Sequence, residues 1–439
     1  MSKTIVIKSR YDAQQQEKEN WTQKRLEALD YYKGNTDEYV FNQYVGSSKN
    51  KIEPAMSGVT KRIIDRTSLV YMKEPKREVT GNRYAEFIHP SKQHRLQRFE
   101  RMVNLLGLVI IKPCWNGEQL EYSIIHDFEP HFDGADPLEP TAFSYPLATR
   151  SNVFNDEEET WMYWSEEEMF HYYNNTKKVI TDPDNPEGLN PYNKIPLIPV
   201  FREGKPDTYY LDTDPSSSLI RNHLMICDLK TSLHQNIKYQ SFGIIIAKGE
   251  MDNNHLEIAP DIITRVEGDS DIQILSPPNT STQVNEVCNS YYKMIAQDYH
   301  LPTSFVDGSE QASSGISLAI RNIELQSKHK NDVAKYREFE KKLHEMERMI
   351  ILHHTNVDIG DLELVDFGES EEVYTPEQRR TLEEKDLAMG IKDLADIVMD
   401  RNPDMSREDA EEYLAERNKS AQNIRRKSDT PNSLFKLGE

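Results

Sequence analysis

The sequence predicts an α+β chain organised around one very long helix, and three observations carry that reading. From Gly315 to about His354 there is no proline and no internal glycine; Ile316, Ile320 and Ile323, then Tyr336, Phe339, Leu343, Met346 and Ile350, recur at steps of three and four. From Gly107 to Arg202 the pattern changes to short β-type runs separated by turn-rich stretches. Between these regions Asp214-Pro215, followed by three serines, is a helix-start signal that opens a helix, a β-type insert and a second helix.

In chain order, Tyr11 to about Tyr32 is polar, with Trp21, Leu26 and Leu29 as sparse apolar points, and reads as a surface helix stopped by Gly34. A second helix is expected from Glu53 or Pro54 to about Tyr71, with Val59, Ile63, Ile64, Leu69 and Val70 on its apolar face. A third covers about His94 to Leu106. The β-type runs are Leu108–Ile111, Glu121–Ile125, Thr160–Trp164 and Lys194–Phe201. Acidic clusters at 156–159 and 166–168 read as solvated turns. The helix from Ser216 to about Tyr239 carries Leu219, Ile226, Leu229, Leu233 and Ile237. The β-type insert has runs at 242–247, 262–266 and 272–275, and the next helix, to about Tyr299, carries Val284, Val287, Tyr291, Met294 and Ile295. Leu301-Pro302 breaks the chain ahead of a polar loop. The long helix would reach roughly 55–60 Å at 1.5 Å per residue, the length of a strut. A short β-type piece, 362–367, precedes an acidic tail with helix starts at Thr375-Pro376 and at Ser406, where Asp409 is spaced for a capping box. Residues 417–439 read as a polar, disordered end.

Composition narrows the class. The 439 residues suffice for roughly two or three packed units. With 37% hydrophobic and 29% charged residues, the chain is wetter than a compact enzyme. This suggests an elongated subunit, or one that buries surface only against its neighbours. No apolar run is long enough to span a bilayer, and the first ten residues do not read as a signal peptide. Cys114, Cys227 and Cys288 are far apart and read as buried thiols in a reducing compartment. A net charge of −21 argues against wrapping DNA, which needs clustered Lys and Arg, but suits a passage along which DNA slides.

A search for chemistry finds little. Gly204-Lys205 lacks the upstream glycine of a phosphate loop, and HExxH, CxxC, GxSxG and GxGxxG are absent. His353 and His354 are adjacent on a helix and point in different directions, so no metal site is expected there. Asp361 and Glu363 read as surface acids. No catalytic residue, metal or cofactor is expected.

Several local stretches resemble the portal proteins of long-tailed bacteriophages, in the branch common in phages of Gram-positive hosts. Tyr31-Tyr32-Lys33-Gly34-Asn35 looks like that family's early YY-x-GN element. Lys61–Arg66 through Leu69–Tyr71 and Glu74-Pro75 looks like its next helix, and Asn190–Leu197 like its N-x-y-g-x-iP strand. Ser313-Ser314-Gly315-Ile316-Ser317-Leu318 resembles the start of its long helix, with Ser317 where alanine is usual. The resemblance covers roughly residues 11 to 416 and rests on the joint order of degenerate pieces.

The resemblance implies a wing at 1–213 and stem helices at 214–239 and 283–299 around a clip at 240–282. It further implies a tunnel loop at 300–314, a long wing helix and β piece at 315–374, and a crown and tail at 375–439. The tunnel-loop residues would be Thr303, Ser304, Asp307, Ser309, Glu310, Gln311 and Ser313, and the clip would offer Asp252, Asn253 and Asn254 to partners. Taken alone, the loop reads as an ordinary helix connection and the insert as an ordinary hairpin. The family is non-enzymatic and forms a ring, usually dodecameric, at one capsid vertex of the virion, after synthesis in the host cytoplasm. Its implied partners are double-stranded DNA, the terminase motor, the major capsid or scaffold protein and a head-completion adaptor. The competing readings are another head–tail connector ring component, for which the chain is long, and a nucleic-acid-processing hydrolase, which needs clustered carboxylates and a basic groove.

Overall fold

The computed structural model describes residues 2–43, 53–133, 136, 138–147, 159–242, 244–248, 271–275, 281–301, 315–368, 376–401 and 405–428. Within these, 2–17, 239–242, 244–248, 271–275, 315–324, 376–379, 382, 401 and 418–428 are described in backbone only. The helices are α1 (Ser2–Lys33), α2 (Asp37–Phe41), α3 (Val59–Thr67), α4 (Tyr84–Phe87), α5 (Lys92–Leu106), α6 (Ser217–Phe242), α7 (Ser281–Asp298), α8 (Gly315–Thr355), α9 (Pro376–Met389), α10 (Leu394–Arg401) and α11 (Arg407–Ser428). The strands are β1 (Lys76–Val79), β2 (Leu108–Trp115), β3 (Leu120–Ile125), β4 (Glu129–His131), β5 (Ala142–Pro146), β6 (Thr160–Ser165), β7 (Met169–Tyr173), β8 (Val179–Ile180), β9 (Ile198–Phe201), β10 (Ile244–Lys248), β11 (Asp271–Leu275) and β12 (Leu362–Asp366). The class is α+β. The chain divides into two compact units, Met1–Glu310 with Ile323–Glu369, and Gln311–Asn322 with Ser370–Glu439.

In the first unit, β2 is the shared wall of two apolar cores. It lies between β3 and β9 in an antiparallel sheet. Side chains alternate along a strand. Val109 and Ile111 therefore enter a core formed with α1, α3, α5 and the second half of α8. Leu108 and Ile110 enter another, formed with Phe143, Tyr145, Met162 and Trp164 of the five-stranded sheet β4-β5-β6-β7-β8. Burial on both faces explains why this strand reads as an unbroken apolar run. The expected stripe on α8 is buried at Tyr336, Phe339, Leu343 and Ile350, with Met346 partly buried. Truncating Leu343 to alanine would cost about 2–5 kcal/mol.

Several expectations need correction. Helix α1 starts at Ser2, not Tyr11, because nothing in 2–33 breaks it. It is not a surface helix in its described half. Trp21, Arg25, Ala28, Leu29 and Tyr31 are buried, and only Leu26 of the three expected apolar points faces out. Helix α3 is shorter than expected at both ends. It begins after Gly58 and ends where the Thr67 and Ser68 hydroxyls donate to the Ile63 and Ile64 carbonyls, while the Val70 and Tyr71 amides donate to the Glu100 carboxylate instead. Strands β1, β4, β5, β7 and β8 carried no clear alternation and were not expected, and β9 covers only the end of its expected run. β1 finds its partner in β12, nearly 300 residues on (Arg77 opposite Val365).

The apolar face of α7 is also rotated from expectation. Cys288, Ile295 and Ala296 are buried, whereas Val287 and Met294 are exposed. Ile237 of α6 is exposed too, with Leu229 and Leu233 half-buried. Of the cysteines, Cys114 is only partly buried. The runs at 262–266 and the side chains of Ile316, Ile320 and Ile323 lie outside the described residues.

In the second unit α10 packs on α11 through Ala395, Ile397 and Ala410. Asp393 and Asp396 cap each other's amides at 2.8 and 2.9 Å, and the Ser406–Asp409 pair forms as expected. The tail is helical to Ser428, which corrects the reading of 417 onward as disordered; residues 429–439 lie outside the described residues.

Candidate functional site

The expected loop residues Thr303, Ser304, Asp307, Ser309, Glu310, Gln311 and Ser313 and the clip residues Asp252, Asn253 and Asn254 lie outside the described residues. What the structure describes is their framework: α6, the β10–β11 hairpin, α7 and the first-unit part of α8.

Helices α6 and α7 run antiparallel. Near the foot of the pair, the Ser218 hydroxyl donates to Asp298 Oδ2 at 3.0 Å, and further up Lys230 Nζ donates to the Tyr292 hydroxyl at 2.9 Å. At their far end β10 pairs with β11, Ile244 opposite Leu275. The pair is fixed at its foot. Asp214, the expected cap, accepts from the Ser217 amide at 3.1 Å. Ser216, at φ +57°, donates its hydroxyl to the Leu105 carbonyl at 2.9 Å and accepts from Arg202 Nη1 at 2.9 Å. Arg202 Nη1 also donates to the Asn104 carbonyl, and Lys335 Nζ of α8 donates to the Arg202 carbonyl at 3.0 Å. Gly107, at φ +77°, lets the backbone pass; a Cβ there would lie 2.8 Å from the Asp214 carbonyl oxygen.

On the second turn of α6, His223 is fully buried between α3 and α6. Its Nε2–H donates to the Ser57 carbonyl at 2.6 Å, so Nδ1 accepts from the Thr60 hydroxyl at 2.8 Å. Burial, with smaller pushes from Lys230 and Arg62, outweighs the Ser57 bond and holds the imidazole down at about 4. It is a neutral joint at ordinary pH.

The largest concentration of buried charge sits on α8. Glu340, His344 and Glu347, spaced by four and three, share the face that carries Phe339 and Leu343. Glu340 accepts from Arg77 Nε at 2.9 Å and Nη2 at 2.7 Å and from the Tyr71 hydroxyl at 2.9 Å. His344 Nε2 donates to the Gly360 carbonyl at 2.9 Å. Glu347 accepts from Lys92 Nζ at 2.5 Å and from the Tyr122 and Tyr84 hydroxyls at 2.6 and 2.9 Å. Burial alone would raise the Glu340 carboxyl, but the hydrogen bonds and charge of Arg77 hold it below its usual range. Burial lowers the Lys92 ammonium, with Glu347 opposing. Burial, then neighbouring carboxylates, pushes Tyr71, Tyr84 and Tyr122 well up.

Both carboxylates of this ladder are sealed, Glu347 at 0% exposure and Glu340 at 1%. No substrate reaches them, so their chemistry is positional: they fix the rotation and height of α8 against β1, α4 and α5. Sequence periodicity placed Leu343 and Ile350 on this face, but Glu340 and Glu347 were not read as joining them. The signal was there as acids at apolar-stripe spacing; their partners stand some 220–270 residues away.

The other chemical candidates resolve as structure. His353 and His354 meet edge-on at 4.9 Å, and His354 stacks on Trp115 and bonds the Tyr192 hydroxyl at 2.9 Å. Asp361 is engaged by Arg348, which also holds Asp358. Among the described residues no three His, Cys, Asp or Glu side chains are grouped to hold a metal, and no helix is long and apolar enough to cross a membrane.

No protein-family model matches the chain. No curated protein matches it. Among solved structures, a chain of the neck of a native gene transfer agent particle, computed with C12 symmetry, is 12% identical, covers 76% of this chain and 86% of its own, and has a TM-score of 0.35. A chain of the virion of a native gene transfer agent particle is 11% identical, with 76% and 85% covered and a TM-score of 0.35.

Proposed function

We propose that this chain is a subunit of a portal-type ring, a non-enzymatic channel through which double-stranded DNA enters and leaves a phage capsid. The observation that carries the reading is the order and pairing of elements after residue 214. Two antiparallel helices, α6 and α7, are bridged at their far end by the β10–β11 hairpin and followed by the 41-residue α8. That is the order the sequence resemblance implies for stem, clip and long wing helix.

Two further features support it. The foot of the helix pair is tied to the α/β body through Asp214, Ser216, Arg202 and His223, as a stem that bears load requires. Val287 and Met294, seven residues apart on α7, are exposed in the single chain, where neighbouring subunits of a ring would cover them. In this reading the tunnel loop, residues 300–314, faces the DNA, with Asp307 and Glu310 repelling phosphate. Asp252, Asn253 and Asn254 meet the terminase and later the head-completion adaptor, and the capsid or scaffold protein holds the body.

The test is the mass of the purified assembly together with negative-stain images. A ring with a central hole is expected. A monomer or dimer that persists when the chain is produced together with its capsid and scaffold proteins would overturn the reading.

A further inference from the structure

A cleft of about 650 Å³ opens where the end of α7 meets residues 327–331 of α8, within the first unit. Gln297 and His300 line one side; Ser327, Lys328 and Asn331 line the other. Its volume is in the range of small-molecule sites. Each of its five lining side chains carries a polar group, and four of them offer neutral hydrogen-bond donors or an imidazole. The fifth is an ammonium.

Lys328 is half-buried, and among the described residues it forms no ion pair. Its ammonium stands 5.7 Å from the centre of the Tyr299 ring. The charges that reach it are Asp332 and Glu100, which favour the cation, and Arg202 and Lys335, which oppose it. Asp332 is already held by Lys335 at 3.0 Å, and Glu100 accepts the Val70 and Tyr71 amides. Burial, joined by Arg202 and Lys335, depresses the ammonium below its usual range. Lys335 is paired with Asp332 and Arg202 with Glu203 and Asp214, which leaves Lys328 as the cation of this group with no ion pair among the described residues. Burying a cation without a partner is unfavourable, and an anion in the cleft would relieve both the desolvation and the repulsion.

We propose that this cleft binds a phosphate group, with Lys328 as the charged contact and Ser327, Asn331 and Gln297 as neutral donors. One ammonium ringed by hydroxyl and amide groups matches a tetrahedral oxyanion, whose several oxygens each accept a bond. The phosphate can be that of a nucleic-acid backbone or a free phosphate or nucleotide; both present the same chemistry. The inference does not depend on the ring reading, because it concerns the single chain and a single phosphate.

The test is calorimetric titration of the full chain with inorganic phosphate and, separately, with a short DNA duplex. Lys328→Gln removes the charge and keeps the length. Asn331→Asp places a carboxylate in the cleft at an exposed position that the fold does not rely on, so it stays informative should Lys328→Gln fold poorly. Lys342→Gln, at an exposed site further along α8, is the control. Saturable phosphate binding is expected, weakened roughly tenfold or more by Lys328→Gln and by Asn331→Asp and unchanged by Lys342→Gln. If duplex binding falls in parallel, the bound group is the nucleic-acid backbone. If phosphate binding is lost while duplex binding is unchanged, the site serves a free phosphate or nucleotide. Absence of saturable phosphate binding, or the same affinity in the two cleft variants as in Lys342→Gln, would overturn the proposal.

Discussion

Lys92 Nζ lies 2.5 Å from Glu347 Oε1, although the two residues stand 255 positions apart in the sequence, with almost no solvent at either group. A sealed pair of this kind stabilises little relative to apolar residues, but leaving one partner alone is expensive. Glu347→Leu or Lys92→Met should therefore destabilise the first unit by about 3–5 kcal/mol, and the double variant carrying both should recover most of that loss. Urea unfolding of the two single variants and the double variant measures the cycle. Additive losses would mean that the two groups do not act as a pair.

His223 gives stability a pH dependence with a definite sign. Its folded value, about 4, lies below the unfolded 6.5. The contribution is therefore present above 6.5 and is lost as pH falls from 6.5 towards 4, where the unfolded chain takes up a proton that the fold refuses. The loss over that window is about 3 kcal/mol. The stability gap between the wild type and His223→Asn should narrow by that amount on acidification. A gap that stays constant would mean that the imidazole takes up its proton in the fold as readily as in the unfolded chain.

Arg25 donates to three carbonyls, those of Leu106 at 2.9 Å, Leu108 at 2.7 Å and His126 at 2.5 Å, and lies 4.1 Å from the Trp21 ring. Burial brings its guanidinium down to about 9, with Asp127 opposing. Arg25→Lys should cost nearly as much as Arg25→Met, on the order of 2–4 kcal/mol, because one ammonium cannot serve carbonyls on two strand ends and a helix end together. Thermal unfolding of the two variants compares them; full rescue by lysine would show that charge alone matters.

Gly107 and Gly34 both have positive φ, but only Gly107 is crowded. Gly34→Ala should cost about 1 kcal/mol. Gly107→Ala should cost more and should loosen the foot of α6, because its Cβ meets the Asp214 carbonyl. Faster hydrogen exchange at the amides of residues 217–220 in Gly107→Ala, and not in Gly34→Ala, is the expected signature.

Within the ring reading, deleting residues 303–312 should leave assembly intact and impair retention or passage of DNA. Assembly is read by mass and images, retention by the DNA content of filled particles. Loss of the ring with packaging unaffected would contradict the assignment of that loop.

The longer helices were legible because they carry a periodic signal, whereas the short α2 and α4 were not expected. The stripe of α8, the helix-start signal at Asp214 just ahead of α6 and the stop at Gly34 all stand where local chemistry put them. The misses share one cause. The face of α1 is built from Trp21, Arg25 and Tyr31, so its burial depends on carbonyls and rings from elsewhere in the chain. The α7 face is set by what α6 presents to it, so Cys288 turns in and Val287 out. β1 has no alternation of its own and exists as a strand because β12 lies beside it. The Glu340–Glu347 ladder hid because acids on an apolar stripe resemble solvent-facing ones until Arg77 and Lys92 arrive.

That ladder makes α8 a keyed shaft. A slip of one residue moves a helix by 1.5 Å and turns it by about 100°. Either motion would withdraw Glu340 from Arg77 and Glu347 from Lys92 together, stranding four charges in an apolar socket. The socket therefore accepts one setting only. A push or twist applied anywhere along the first-unit part of α8 is handed whole to β1 and α5, with no lost motion at the joint.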